Sequence, residues 1–188
     1  MEKVTLKITG DRPLLLHAAT GSDPLNPMTK EHKKLTSKRK KTDEDYEQIA
    51  KSEWLMSLYY DKKDGAYIPG VNIEASIIAG AKLKKLGTTV KRGVEVLNEV
   101  CKLEYDGPKD PEKLWDKGFY DARTVKVGMA RIVRYRPIFK QWACQFTVLF
   151  DEDIINKSEL MDCIKDAGLY CGVGDYRPKF GRYSIKEI

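Results

Sequence analysis

Residues 142–150, WACQFTVLF, alternate apolar and polar side chains with the period of a half-buried strand, and residues 156–168, NKSELMDCIKDAG, follow at helical period. Asn156 with Glu159 predicts a capped helix start, with Leu160, Cys163, Ile164 and Ala167 on one face and Gly168 as the stop. A closing strand is predicted at Tyr183-Ser184-Ile185. This succession of strand, helix and strand points to an α+β class.

Working upstream, Val125, Val127, Met129, Val133 and Tyr135 alternate with Lys126, Gly128, Ala130, Ile132, Arg134 and Arg136. They predict one strand, joined by residues 136–141 to the strand at 142–150 as an antiparallel pair. Residues 111–115 read as one helical turn begun by proline, and between 88 and 105 only Lys102-Leu103-Glu104-Tyr105 reads as strand. Asn72 is the expected cap of a helix with Ile73, Ile77, Ile78 and Ala81 inward, stopped at Gly87 and preceded by a short extended piece at 66–70. Thr42 and Asp45 make a capping-box start for a helix over about 43–59, with Tyr46, Ile49, Ala50, Trp54 and Leu58 inward. Val4, Leu6 and Ile8, then residues 13–17, predict a long opening strand ended by Gly21. Residues 22–41 show no apolar face and are expected to form a basic loop insertion. The order fits a split β-α-β plan in a single domain spanning 1–188: a ferredoxin-like antiparallel sheet with helices on one face and a long basic loop.

The 188 residues carry a net charge of +6, with 33% charged and 41% hydrophobic residues, which describes a globular chain with a heavily charged surface. No window approaches the ~18 apolar residues of a membrane span, and the N-terminus lacks the order of a signal peptide, so a cytoplasmic protein without membrane contact is expected. The cysteines Cys101, Cys144, Cys163 and Cys171 form no C-x-x-C pair and read as buried free thiols. With only His17 and His32 as histidines, metal chemistry is thinly supplied. No cofactor is expected, since no phosphate-binding, nucleophile-elbow or paired-carboxylate motif occurs.

Three constellations carry binding chemistry. Residues 172–183, GVGDYRPKFGRY, combine Gly172, Gly174 and Gly181, which let a ligand approach the backbone, with the cations Arg177, Lys179 and Arg182 and the rings Tyr176, Phe180 and Tyr183, which can stack on bases. By composition alone, a glycine-rich hairpin with ordinary surface charges explains the run equally well. The block Lys30, Lys33, Lys34, Lys38, Arg39, Lys40 and Lys41, interrupted by Glu31, attracts phosphate. Arg131, Arg134 and Arg136, with Lys140, Tyr135 and Trp142, form a third basic and aromatic set on a strand edge.

The Gly-x-Gly, basic residue, then Phe-Gly-Arg order at 172–182 resembles the C-terminal glycine-rich loop of the RAMP superfamily, the RNA-binding subunits of CRISPR effector complexes. The segment YIPGVNIEASI at 67–77 is similar to the Ile-Pro-Gly lead-in to the first helix of that superfamily's backbone subunits. It departs from the family pattern at Val71-Asn72 and Glu74-Ala75, so the family's basic residue at the helix start has no counterpart. The resemblance implies an RRM-like fold that polymerises along single-stranded nucleic acid with a loop or thumb wedged between nucleotides; a stand-alone, phage-type relative fits equally.

The expectation is therefore a non-catalytic binder of single-stranded RNA or DNA that self-assembles along the strand or serves as a subunit of a ribonucleoprotein. Two other readings stay open. Family members that cut RNA use an aspartate in the loop after the first strand, a position Asp23 matches, so the chain is alternatively a metal-dependent endoribonuclease. It is otherwise an inhibitor or decoy that mimics an effector subunit and binds protein.

Overall fold

A computed structural model describes all residues, Met1–Ile188. The elements are β1 (Glu2–Gly10), β2 (Leu14–Leu15), α1 (Pro27–Thr36), α2 (Asp43–Ser57), β3 (Tyr60–Asp61), β4 (Gly65–Pro69), α3 (Gly70–Leu83), α4 (Gly87–Gly93), β5 (Val94–Val96), β6 (Val100–Glu104), α5 (Pro111–Asp116), β7 (Tyr120–Val127), β8 (Ala130–Phe139), β9 (Ala143–Phe150), α6 (Lys157–Asp166) and β10 (Tyr183–Glu187). They make an α+β protein with two compact units, one of Met1–Leu14, Tyr60–Asp106 and Phe139–Ile188, the other of Leu15–Tyr59 and Gly107–Ile138. The chain passes between the units four times, so no linker marks a boundary in the sequence.

In the first unit the sheet runs β10-β1-β9-β6-β4-β3, with β5 also on β9, and its pairings are antiparallel. β1 lies between the edge strand β10 and β9, and its Val4, Leu6 and Ile8 face one side and meet Val148, Phe146 and Cys144 of β9 in register. All six side chains are buried. The strand at 142–150 thus pairs with β1, not with the preceding strand as expected. Trp142 is core, its Nε1 donating to the Arg12 carbonyl at 2.9 Å.

Helices α3 and α6 pack at Gly80, where a Cβ would lie 2.4 Å from the Cys163 carbonyl oxygen and 2.5 Å from the Ala167 nitrogen. α3 starts at Gly70 without a side-chain cap, so Asn72 lies inside the helix rather than capping it. Gly70 is needed because a Cβ there would meet the Asn98 carbonyl oxygen at 2.0 Å. α6 has the expected Asn156 cap, which accepts the Glu159 N–H at 2.9 Å. Its end is different: Ala167–Cys171 widen into a π-turn, closed by Gly172 at φ +72°. Gly168 is not the stop; it admits the Tyr183 carbonyl, 2.1 Å from where a Cβ would stand. Three cysteines are buried free thiols and Cys171 is half-buried; burial pushes the Cys101 thiol up to about 12.

In the second unit the sheet order is β2-β8-β7. The single strand expected over 125–136 is a hairpin that turns at Gly128-Met129, with Val127 opposite Ala130 and Gly128 at φ +58°. The basic segment expected as a loop contains α1, begun by Asn26, which accepts the Met28 N–H, and by Pro27. Its inner face is polar: Thr29 is buried and donates to the Thr20 carbonyl, while His32 meets Ser52 of α2 at 3.2 Å. Burial lowers the His32 pKa, opposed by Glu53 and reinforced by Arg134.

α2 carries the predicted capping box, with Thr42 accepting the Asp45 N–H and Asp45 accepting the Thr42 N–H. Thr42→Ala is expected to lower stability by about 1 kcal/mol in thermal unfolding. The Asp45 carboxyl is held below its ordinary value, first by the Lys38 hydrogen bond and then by the Thr42 N–H. Its contribution is complete above the pH at which an unfolded aspartate ionises and is lost as pH falls through the lowered value. Tyr46, expected inward, is 59% exposed.

Candidate nucleic-acid interface

The glycine-rich run is a pinned loop. The Val173 N–H donates to the Gly181 carbonyl at 2.9 Å, and the Gly181 N–H donates to the Pro13 carbonyl at 2.8 Å. The Arg182 carbonyl accepts from Asp11 at 2.8 Å and Arg12 at 3.2 Å. At its base Ser76 of α3 donates to the Gly172 carbonyl at 2.8 Å, and its oxygen lies 3.1 Å from the Tyr183 hydroxyl. Burial raises the Tyr183 pKa, so the phenol stays protonated. Ser76 escapes a reading based on hydrophobic period, although its place on the inner stripe with Ile73, Ile77 and Gly80 is visible in the sequence.

This anchoring sorts the predicted residues. Val173, Phe180 and Tyr183 are buried, so Phe180 and Tyr183 are core residues, not stacking platforms. Tyr176, Arg177 and Lys179 are exposed at the tip, and Gly174 and Tyr176 hold positive φ of 83° and 57°. No ion pair engages Arg177 or Lys179. Arg182 is half-buried and contributes chiefly through its carbonyl, which leaves Arg177 and Lys179 as the outward cations.

In the basic segment, Lys34 pairs with Glu31 at 2.7 Å, Lys38 with Asp45 at 2.6 Å, and Lys41 donates to the Lys38 carbonyl. Lys33, Arg39 and Lys40 are exposed and carry no ion pair. The arginines of β8 do not form one edge. β8 lies between β2 and β7, and strand alternation puts Arg131 on the opposite face from Arg134 and Arg136. Arg134 is ion-paired with Glu53, whose other oxygen accepts the Tyr135 N–H, and Arg136 is half-buried. Arg131 alone is exposed, beside Lys126 across the hairpin.

The outward face of the first unit's sheet bears Lys3, Thr5, Lys7 and Thr9 on β1, Gln145 and Thr147 on β9, and Ser184 and Lys186 on β10. Lys7 is ion-paired with Glu104. On the same face β4 sets the half-buried Tyr67 opposite Lys102 of β6, so the sheet presents cations, hydroxyls and a ring there.

The Asp23 carboxylate accepts the Leu25 N–H at 2.9 Å, the geometry of a turn former. No group of three or more His, Cys, Asp and Glu side chains converges as a metal site. No helix is long and apolar enough to cross a membrane. No protein-family model matches the chain, and no curated protein matches its sequence.

Proposed function

We propose that the protein grips the sugar-phosphate backbone of single-stranded nucleic acid, RNA or DNA, in the manner of RAMP-type backbone subunits, and assembles along the strand. The reading rests on Arg177 and Lys179, two cations without carboxylate partners on a loop whose backbone is hydrogen-bonded on both sides. Such a loop does not have to be ordered by its ligand, so charge-assisted contacts to phosphate keep more of their free energy. Two further features support it. The order β10-β1-β9-β6, with helices after β1 and between β9 and β10, fits a ferredoxin-like plan. The β7–β8 hairpin, with Met129 97% exposed at its tip, suits a thumb.

Anisotropy titrations with single-stranded RNA, single-stranded DNA and duplex across a salt series test this. Wild-type protein is expected to prefer single strands. Arg177→Ala/Lys179→Ala is expected to weaken binding about tenfold or more and to make the log–log salt slope shallower by about 1.4, two phosphates at about 0.7 each. Absence of binding at low salt would overturn the reading and turn the search to protein partners.

A further inference from the structure

The second unit holds a ring-lined cleft that composition did not reveal. A cleft of about 620 Å³ opens between α2, α5 and the β7–β8 hairpin, walled by Tyr46, Trp115, Tyr120 and Tyr135 with Glu47 at its margin. Ala50 and Ala122 also line it, and Ala122 faces Tyr135 across the hairpin, so small side chains leave room between large ones. The volume falls within the about 300–1,000 Å³ typical of small-ligand sites.

The rings are held in place. Trp115 packs edge-on against Trp54, centroids 5.8 Å apart, and Trp54 is fully buried with its Nε1 donating to the Phe119 carbonyl. Tyr120 lies 4.7 Å from Trp115, tilted by 30°, and Tyr135 lies within 6.0 Å of both. Yet Tyr46 and Tyr120 remain 59% and 40% exposed. Clustered rings left facing water mark a contact surface, because stacking them away would remove apolar area from solvent.

Charge selects the occupant. Cross-strand register puts Tyr120, Ala122, Thr124 and Lys126 on one face of the hairpin with Arg131, Val133 and Tyr135. That face therefore runs from rings to an exposed pair of cations, Lys126 and Arg131. The cations stand four residues along the strands from Ala122 and Tyr135, about 13 Å away, and so match a phosphate further along a nucleic-acid strand whose base lies among the rings. Glu47 supplies an acceptor for an exocyclic amino group, which cytosine and adenine carry and uracil lacks.

We infer that this cleft seats an unstacked, amino-bearing nucleobase of the bound strand, a role that rests on the nucleic-acid reading above. The test compares a cytosine-rich single strand with an abasic strand of equal length and charge, by anisotropy, in wild type, Tyr46→Ala and Tyr120→Ala. Both side chains are exposed, so the variants should fold. Wild type is expected to bind the base-bearing strand about tenfold or more tightly than the abasic one, the scale of a single stack. Each variant should narrow that gap while binding the abasic strand as wild type does. Equal binding of the two strands by wild type, or a gap unchanged in both variants, overturns the cleft and leaves the backbone-gripping reading standing.

If neither strand binds, the backbone reading falls, and tryptophan quenching by CMP or AMP, absent in Tyr120→Ala, decides the cleft alone. Quenching equal for UMP overturns the amino-edge assignment. A response to a proline-rich peptide in place of nucleotide assigns the cleft to protein recognition and overturns the proposal.

Discussion

Gly181→Ala is expected to cost about 3 kcal/mol or more of stability, against about 1–2 kcal/mol for Gly128→Ala. Both glycines have positive φ, +72° and +58°, so both substitutions meet the same left-handed backbone penalty. They differ in surroundings. A Cβ on Gly181 would lie 1.8 Å from the Val173 carbonyl oxygen, whereas nothing stands within 4 Å of one on Gly128. The obstacle at Gly181 is backbone, and that backbone is tied down, since the Val173 N–H donates to the Gly181 carbonyl. The loop cannot yield without giving up its anchors. Urea unfolding of the two variants measures the difference, and equal costs would show that the loop is slack. A slack loop would also undercut the proposed advantage of Arg177 and Lys179 as pre-placed cations.

What could be read in advance follows from how local each signal is. The Thr42–Asp45 and Asn156–Glu159 caps were legible because a side chain bonds to a backbone group three residues away, and the sequence contains both partners. The pairing of β1 with β9 was not, because the two lie some 140 residues apart and alternation says only that a strand has a buried face. The β7–β8 hairpin was hidden by its turn. A two-residue turn at Gly128-Met129 leaves the run looking continuous, yet it resets which residues share a face: Val125 and Val127 stand with Ile132 and Arg134, not with Val133 and Tyr135. Helix α1 was invisible to a search for apolar period because its inner face is polar, Thr29 donating to the Thr20 carbonyl and His32 meeting Ser52 of α2, although Asn26-Pro27 is an ordinary helix start.

The candidate site was legible in composition but not in direction. Arg177 and Lys179 face outward from the loop, whereas Gly172 and Gly181 are buried and make room for its own backbone rather than for a ligand. Phe180 and Tyr183 look identical to Tyr176 in a string of aromatic and basic residues, and only the tertiary fold turns them inward. The reverse holds for Tyr46, which fits the helical stripe of α2 but faces water. The shared cleft of Trp115 and Tyr120 is not legible in the sequence, because Tyr46, Ala50 and Tyr135 reach it from distant segments.

The anchor beneath the loop gives the other large expected effect. Ser76 has one hydroxyl hydrogen, directed to the Gly172 carbonyl, so its oxygen is left to accept from Tyr183. Ser76 and Tyr183 are 0% and 2% exposed, leaving no water to replace a lost partner. Ser76→Ala strands two buried polar groups, the Gly172 carbonyl and the Tyr183 hydroxyl, at about 1–3 kcal/mol each, so a loss of about 2–4 kcal/mol is expected after alanine's better helix propensity is credited. Tyr183→Phe removes the hydroxyl itself and leaves Ser76 still donating to Gly172, so about 1 kcal/mol is expected. The signs therefore cross: in the Ser76→Ala background, Tyr183→Phe should be neutral or stabilising, since it deletes the group that Ser76→Ala had stranded. A double-mutant cycle by denaturant unfolding at neutral pH reads this directly. Strict additivity would mean that the two hydroxyls do not share a hydrogen bond.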